Sequence, residues 1–302
     1  LETQFGLECF RTITHFKPPR KRAAGDRRAA GDQVRTLSRK LAAARDEDEF
    51  LLNLTDFYRR YGVGVFGLHR AFHVRSEDGR VTFLPIDNTD TVLLSDLIGY
   101  EAQKQTLAEN TEAFIRGLPV NNALLYGDAG AGKSSCVKAL LNEYCDAGLR
   151  MVELYKHQFH DLSPVVAALK NRNYRFIIYI DDLSFEENET EYKFLKAVIE
   201  GGVETKPDNV LLYATSNRRR LIRETWADRD DMEHSGEIHR SDTVEEKLSL
   251  SARFGLTINF NSPNREQYHD IVLGLAWRQL KKRPPDEELL KLADRWELRH
   301  GG

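Results

Sequence analysis

Between Asn122 and Tyr144 the sequence passes from an apolar run, through Gly127-Asp128-Ala129-Gly130-Ala131-Gly132-Lys133-Ser134, into helical spacing. The middle stretch fits G-x-x-x-x-G-K-[ST], which ordinary residue usage would generate by chance about 0.01 times in a chain of 302 residues. Its setting is the one the pattern requires: Ala123-Leu-Leu-Tyr126 reads as a strand leading in, and Ser135 to Tyr144 as a helix leading out. Glycines let the backbone curl so that successive N–H groups converge on an anion, and the positive end of the following helix adds to the potential there. In such a cradle Lys133 reaches the outer phosphates of a nucleotide, and the Ser134 hydroxyl ligates a divalent cation. A plain glycine-rich turn is the competing reading. Cys136, just inside the helix, reads as a packed small hydrophobe rather than a reactive thiol.

Further short apolar runs occur at residues 151–155, 176–180, 210–214 and 256–260, with helical spacing between most of them. Continuous apolar strands alternating with helices imply a parallel sheet covered on both faces. The expected fold is therefore α/β, with a five-stranded parallel sheet flanked by helices in residues 91–262. Residues 263–302 carry helical spacing broken at Pro284-Pro285. Residues 46–90 read as a small accessory unit: a helix with Phe50, Leu54 and Phe57 on one face, then a hairpin turning at Glu77-Asp78-Gly79. Gly62, Gly64 and Gly67 read as a flexible connection. Residues 1–45 form a basic segment in which Gly25 and Gly31 punctuate any helix.

Composition excludes more than it assigns. Net charge is −3, hydrophobic residues make up 41% and charged ones 30%, an ordinary soluble mix rather than that of a bulk polyanion binder. No run approaches the roughly 18 apolar residues of a membrane span, so no membrane partner is expected. The first residues lack the basic start and apolar stretch of a secretory signal. Three cysteines without metal-ligand spacing argue against a disulfide framework and for a reducing, cytoplasmic setting. From Lys17 to Arg45, ten Lys/Arg stand against two Asp, a local excess suited to an acidic partner or to a solvated helix face.

Phe176-Ile-Ile-Tyr-Ile180-Asp181-Asp182 is an apolar strand that ends in two acids. Such a strand delivers carboxylates to the phosphate site, with Asp181 holding Mg²⁺ through its waters and Asp182 polarising the attacking water. At this point the chain resembles AAA+ ATPases. More narrowly, it resembles a bacterial family of stand-alone AAA+ proteins catalogued as a domain of unknown function. The stretches that carry the likeness are Asp96-Leu-Ile-Gly99, Asn122 to Ser135, Asp181-Asp-Leu-Ser-Phe-Glu186, Glu200-Gly-Gly-Val-Glu204, Tyr213-Ala-Thr-Ser-Asn-Arg218 and Glu245 to Gly255. The resemblance as a whole covers the chain from about residue 46 to the last, leaving the basic N-terminal segment outside it.

The resemblance implies a nucleotide-binding protein using ATP/ADP and Mg²⁺, hydrolysing ATP in a homo-oligomer to remodel a macromolecular partner. The alternative is an ATP-dependent DNA-binding switch or loader, for which the basic segment is the sequence support. A small-molecule kinase fits less well, because no acceptor pocket or arginine-rich closing lid is evident. By resemblance, Asn217 ends a sensor strand lying between the phosphate-loop strand and the Asp181 strand. Arg253 is the arginine finger donated to a neighbouring subunit, and Ile98 and Gly99 contact the adenine. Competing readings are a helix cap for Asn217, a surface ion pair for Arg253 and core packing for Ile98. Most AAA+ proteins carry Asp-Glu where this chain has Asp181-Asp182; the shorter acid holds its water about one methylene further back, which points to slow turnover. The lid is expected to be partial: Arg299-His-Gly-Gly302 is where the turn before a second sensor arginine would begin, and Arg278 and Arg295 are weak substitutes.

Two further expectations are local. A helix over 189–200 is expected, capped by Asn188 and stopped at Gly201-Gly202. The polar stretch from Asp228 to Glu246, with His234 and His239, reads as a mobile loop rather than a metal site. Arg218, Arg219 and Arg220 read as solvated or interface arginines.

Overall fold

The computed structural model describes residues 25–61, 64–186, 189–200, 207–217, 221, 250–280 and 284–300. The expectations for Asn188, Gly201-Gly202, Arg218–Arg220 and the 228–246 stretch lie outside these residues. Two compact units are present, one made of residues 1–71 with 85–89 and the other of 72–84 with 90–302.

The first unit carries three helices among its described residues. Helix α1 spans Gly25–Ala42, α2 spans Glu47–Tyr61 and α3 is the short turn Val65–Leu68. Gly31 does not interrupt α1: one glycine costs a helix interior about 1 kcal/mol, which the remaining residues outweigh. Asp46 starts α2, its Oδ1 accepting the Glu49 N–H at 2.8 Å. Gly67, expected in a flexible connection, lies inside α3 beside buried Phe66.

The second unit is built on a seven-stranded sheet in the order β2-β1-β4-β5-β6-β3-β7. Its strands are β1 Ala71–Glu77, β2 Arg80–Pro85, β3 Asn122–Gly127, β4 Leu149–Glu153, β5 Arg175–Ile180, β6 Val210–Ser216 and β7 Gly255–Phe260. The number differs from the five expected. The hairpin assigned to the accessory unit joins the sheet on the β4 side, with Asp78 (φ 50°) and Gly79 (φ 74°) forming its tight turn. The β4–β5, β5–β6, β6–β3 and β3–β7 pairs are all parallel, and the sensor-like strand β6 lies between β5 and β3 as expected. Every residue of β6, and all but the ends of β3 and β5, is buried. Both faces of the central sheet are therefore covered, which is why those segments read as unbroken apolar runs.

Helices follow the strands: α4 Glu101–Ile115, α5 Lys133–Tyr144, α6 Leu162–Leu169 and α7 Tyr192–Glu200. Helices α8 Arg265–Gln279 and α9 Asp286–His300 make the C-terminal pair. Asn264 caps α8, accepting from the Gln267 N–H at 2.9 Å while Gln267 reaches back to the Asn264 N–H at 3.0 Å. His269 Nε2 and Arg265 each bond Asp294 at 2.7 Å, clasping α8 to α9.

Candidate nucleotide-binding site

Parallel pairing brings the C-terminal ends of β3, β5 and β6 to one edge of the sheet. Tyr126 is level with Ser216, and Ile180 with Ala214, so Gly127, Asp181 and Asn217 emerge side by side. Ligands of open α/β sheets sit at this end of the strands.

The loop after β3 follows from its backbone. Gly127 adopts φ +137°, and a Cβ there would lie 2.1 Å from the Phe260 carbonyl oxygen of β7. Asp128 N–H donates to that same carbonyl at 2.9 Å. Beyond it, Asp128, Ala129 and Gly130 are exposed, and Gly132 (φ +85°) turns the chain into α5 with open space around it. No side chain caps α5. Its first N–H groups, contributed by Lys133, Ser134 and Ser135, therefore face the loop's concave side, the arrangement that binds phosphate.

Lys133 is buried at 6% exposure, and its ammonium bonds the carbonyls of Gly127 (3.0 Å) and Asp128 (2.6 Å) and Asn217 Oδ1 (3.0 Å). Burial pushes its pKa down, while the charges of Asp128, Asp182 and Asp181 pull it back up. Asn217 spans the site, its Nδ2 donating to Asp182 Oδ1 at 2.9 Å. Asp182 holds a left-handed backbone (φ 50°), which Asp tolerates better than most residues and which sharply ends the strand.

Ser134 Oγ donates to Asp181 Oδ1 at 2.7 Å, and Thr215 Oγ1 donates to the same oxygen at 2.5 Å. Thr215 also accepts the Asp182 N–H at 3.0 Å, and its carbonyl takes the Leu183 N–H at 2.7 Å. One threonine thus fixes the end of β5. Burial raises the Asp181 pKa, but hydrogen bonds, that from Thr215 foremost, outweigh it and hold the carboxyl below its ordinary value. A hydroxyl and a carboxylate in contact suit a small hard cation, since Mg²⁺ takes one or two protein oxygens and fills its shell with water and phosphate. Among the described residues, no group of three or more His, Cys, Asp and Glu forms a separate metal cage.

The remaining expected residues make other contacts within the chain. Ile98 and Gly99 pack on α8: Gly274 leaves room for no Cβ beside Ile98, and Ile271 lies against Gly99. Arg278 of α8 bonds the Ser95 carbonyl and pairs with Asp96 at 3.6 Å, which draws it to that segment rather than to the loop. Arg253 forms an ion pair with Glu200 at the end of α7. Cys136 is buried in α5, its thiol pushed up to about 11 by burial. Two participants escaped the sequence reading: Thr215 and Ser262, whose N–H and hydroxyl both bond Asp128 Oδ2, at 2.6 and 2.7 Å. The polar run Thr215-Ser216-Asn217 at a strand end was a usable signal for the first. Ser262 is too far from Asp128 in sequence to be paired with it by pattern.

A phosphate-type loop between β3 and α5, an acid-bearing β5 and the intervening β6 together define a P-loop fold of the AAA+ type. The chain belongs to the family described as "Protein of unknown function (DUF815)", which matches residues 68–302. Among curated proteins it is similar to the replication factor C large subunit of Staphylothermus marinus, 37% identical over 67 residues, 22% of this chain and 15% of that protein. Among solved structures it is similar to a RuvB variant of Thermotoga maritima, at 18% identity and a TM-score of 0.47. Another RuvB structure from that organism, described as a Holliday junction branch migration motor, matches at 17% identity and a TM-score of 0.46. Each RuvB match covers 67% of this chain and 58% of the other, so the chain spans less than two thirds of these relatives. No helix among the described residues is long and apolar enough to cross a membrane.

Proposed function

We propose that the chain binds ATP with Mg²⁺ at the Gly127–Ser135 loop, hydrolyses it slowly, and uses the cycle within a homo-oligomer to remodel a macromolecular partner. The observation that carries this reading is the convergence of Lys133, Ser134, Asp181, Asp182 and Asn217 on one loop through direct hydrogen bonds.

The residues divide the work by chemistry. The loop amides and the α5 N-terminus take the phosphate oxygens. Lys133 exchanges its two backbone carbonyls for the outer phosphates, where its charge offsets what develops in the transition state. Ser134 and Asp181 would hold Mg²⁺, which when bound neutralises phosphate charge. Asp182 accepts a proton from the attacking water, and Asn217, already bonded to both Lys133 and Asp182, aligns that water with the phosphate.

Titration with a fluorescent ATP analogue and a phosphate-release assay test this. Lys133→Ala should weaken binding by about 10–100-fold, the loss of a charge-assisted contact. Asp182→Asn should keep the affinity and lose about 10²-fold or more of turnover. Equal ATP binding by wild type and Lys133→Ala would remove the proposal.

A further inference from the structure

The phosphate loop carries an acid. From Gly127 to Ser134, Asp128 is the one carboxylate, in a stretch whose backbone otherwise gathers positive potential for an anion. We propose that Ser262 is a positioning residue of that loop: its N–H and hydroxyl hold the Asp128 carboxylate aside and offset its charge, so that the loop admits the phosphates of a nucleotide. This rests on the nucleotide reading above.

Topology puts the two residues together. β3 and β7 run parallel with Gly127 opposite Phe260, so the residue after β3 meets the segment that leaves β7. Asp128 N–H donates to the Phe260 carbonyl at 2.9 Å. Two residues further on, Ser262 donates its N–H to Asp128 Oδ2 at 2.6 Å and its hydroxyl to the same oxygen at 2.7 Å. The Asp128 carbonyl meanwhile accepts the Lys133 ammonium at 2.6 Å. One short side chain therefore separates the carboxylate from the carbonyl held by the cation assigned to the outer phosphates.

The charge makes this more than a continuation of the sheet pairing, for which an uncharged acceptor such as Asn would serve. An Asp is ionised at neutral pH. Unit charges a few ångströms apart near a protein surface repel by enough to cost about fivefold or more in affinity. Two donors converging on one oxygen draw its negative potential toward Ser262 and fix the side chain against the segment leaving β7. Without the hydroxyl, one bond is left to hold the carboxylate, which can then turn toward an incoming phosphate. Both residues are exposed, so neither fills the core.

The test titrates a fluorescent ATP analogue, at low and at high KCl, against the full chain. Five forms are compared: wild type, Ser262→Ala, Ser262→Thr, Asp128→Asn and the Asp128→Asn/Ser262→Ala pair. At low salt Ser262→Ala should bind about 3–10-fold more weakly than wild type, the scale of one hydrogen bond to a charged group at an exposed site. That ratio should shrink in high KCl, which screens exposed charges. Ser262→Thr, which keeps the hydroxyl, should restore the affinity. Once Asp128→Asn has removed the charge, adding Ser262→Ala should change affinity by less than about twofold. Equal binding by Ser262→Ala and wild type, a deficit indifferent to salt, or one that persists in full beside Asp128→Asn would overturn the inference and leave the nucleotide reading standing. A wild type that does not bind the analogue would remove both.

Discussion

Gly127 marks the place where β3 meets β7 most closely. Its φ of +137° and the Phe260 carbonyl 2.1 Å from any added Cβ leave an L side chain neither conformation nor space. Gly127→Ala should therefore cost about 1–3 kcal/mol from crowding alone, with backbone strain added, and urea denaturation of the two forms measures it. Spacing marked this residue and its neighbours through Ser135 because a phosphate loop is a local device: strand, turn and helix are contiguous. Asp181 and Asp182 were legible for a similar reason, as acids ending an apolar run. Thr215 was not, because its importance depends on β5–β6 register, in which Ile180 faces Ala214 and thus Asp181 comes level with Thr215. Within an unbroken buried strand, side-chain direction gives no alternation to read.

At the scale of elements, apolar patterning located the five central strands to within about two residues; β4 begins at Leu149 instead of Met151. It also located the β1–β2 hairpin, from Asp78-Gly79 and the flanking strand residues. What it lacked was the hairpin's second neighbour, since turn chemistry dictates how two strands meet but not which sheet edge they extend. The C-terminal helices offer a test at this scale. Hydrogen bonds from His269 and then Arg265 hold the Asp294 carboxyl below its ordinary value. A carboxyl whose folded pKa is depressed contributes stability above its unfolded value, and that contribution fades as pH falls through the folded one. Asp294→Asn should therefore melt below wild type at pH 7, with the gap closing as pH drops below about 4, where carboxylates protonate. Thermal melts at a series of pH values check it.

At the scale of the molecule, the pairing of Arg253 with Glu200 bears on assembly. An arginine offered to a neighbour's nucleotide must first leave its partner within the chain. In the proposed oligomer, Arg253→Ala should lower ATP turnover by roughly 10³-fold or more, as loss of such a finger does elsewhere, while the affinity of a single chain for ATP stays the same. Light scattering with and without ATP, beside turnover at several protein concentrations, checks this; concentration-independent turnover by a strict monomer would contradict it. A last consequence concerns Asp128. Its carbonyl accepts Lys133, and its carboxylate grips Ser262, three residues before α8 begins. An anion that draws the ammonium off the loop would therefore act on the same residue that holds the segment leading into α8.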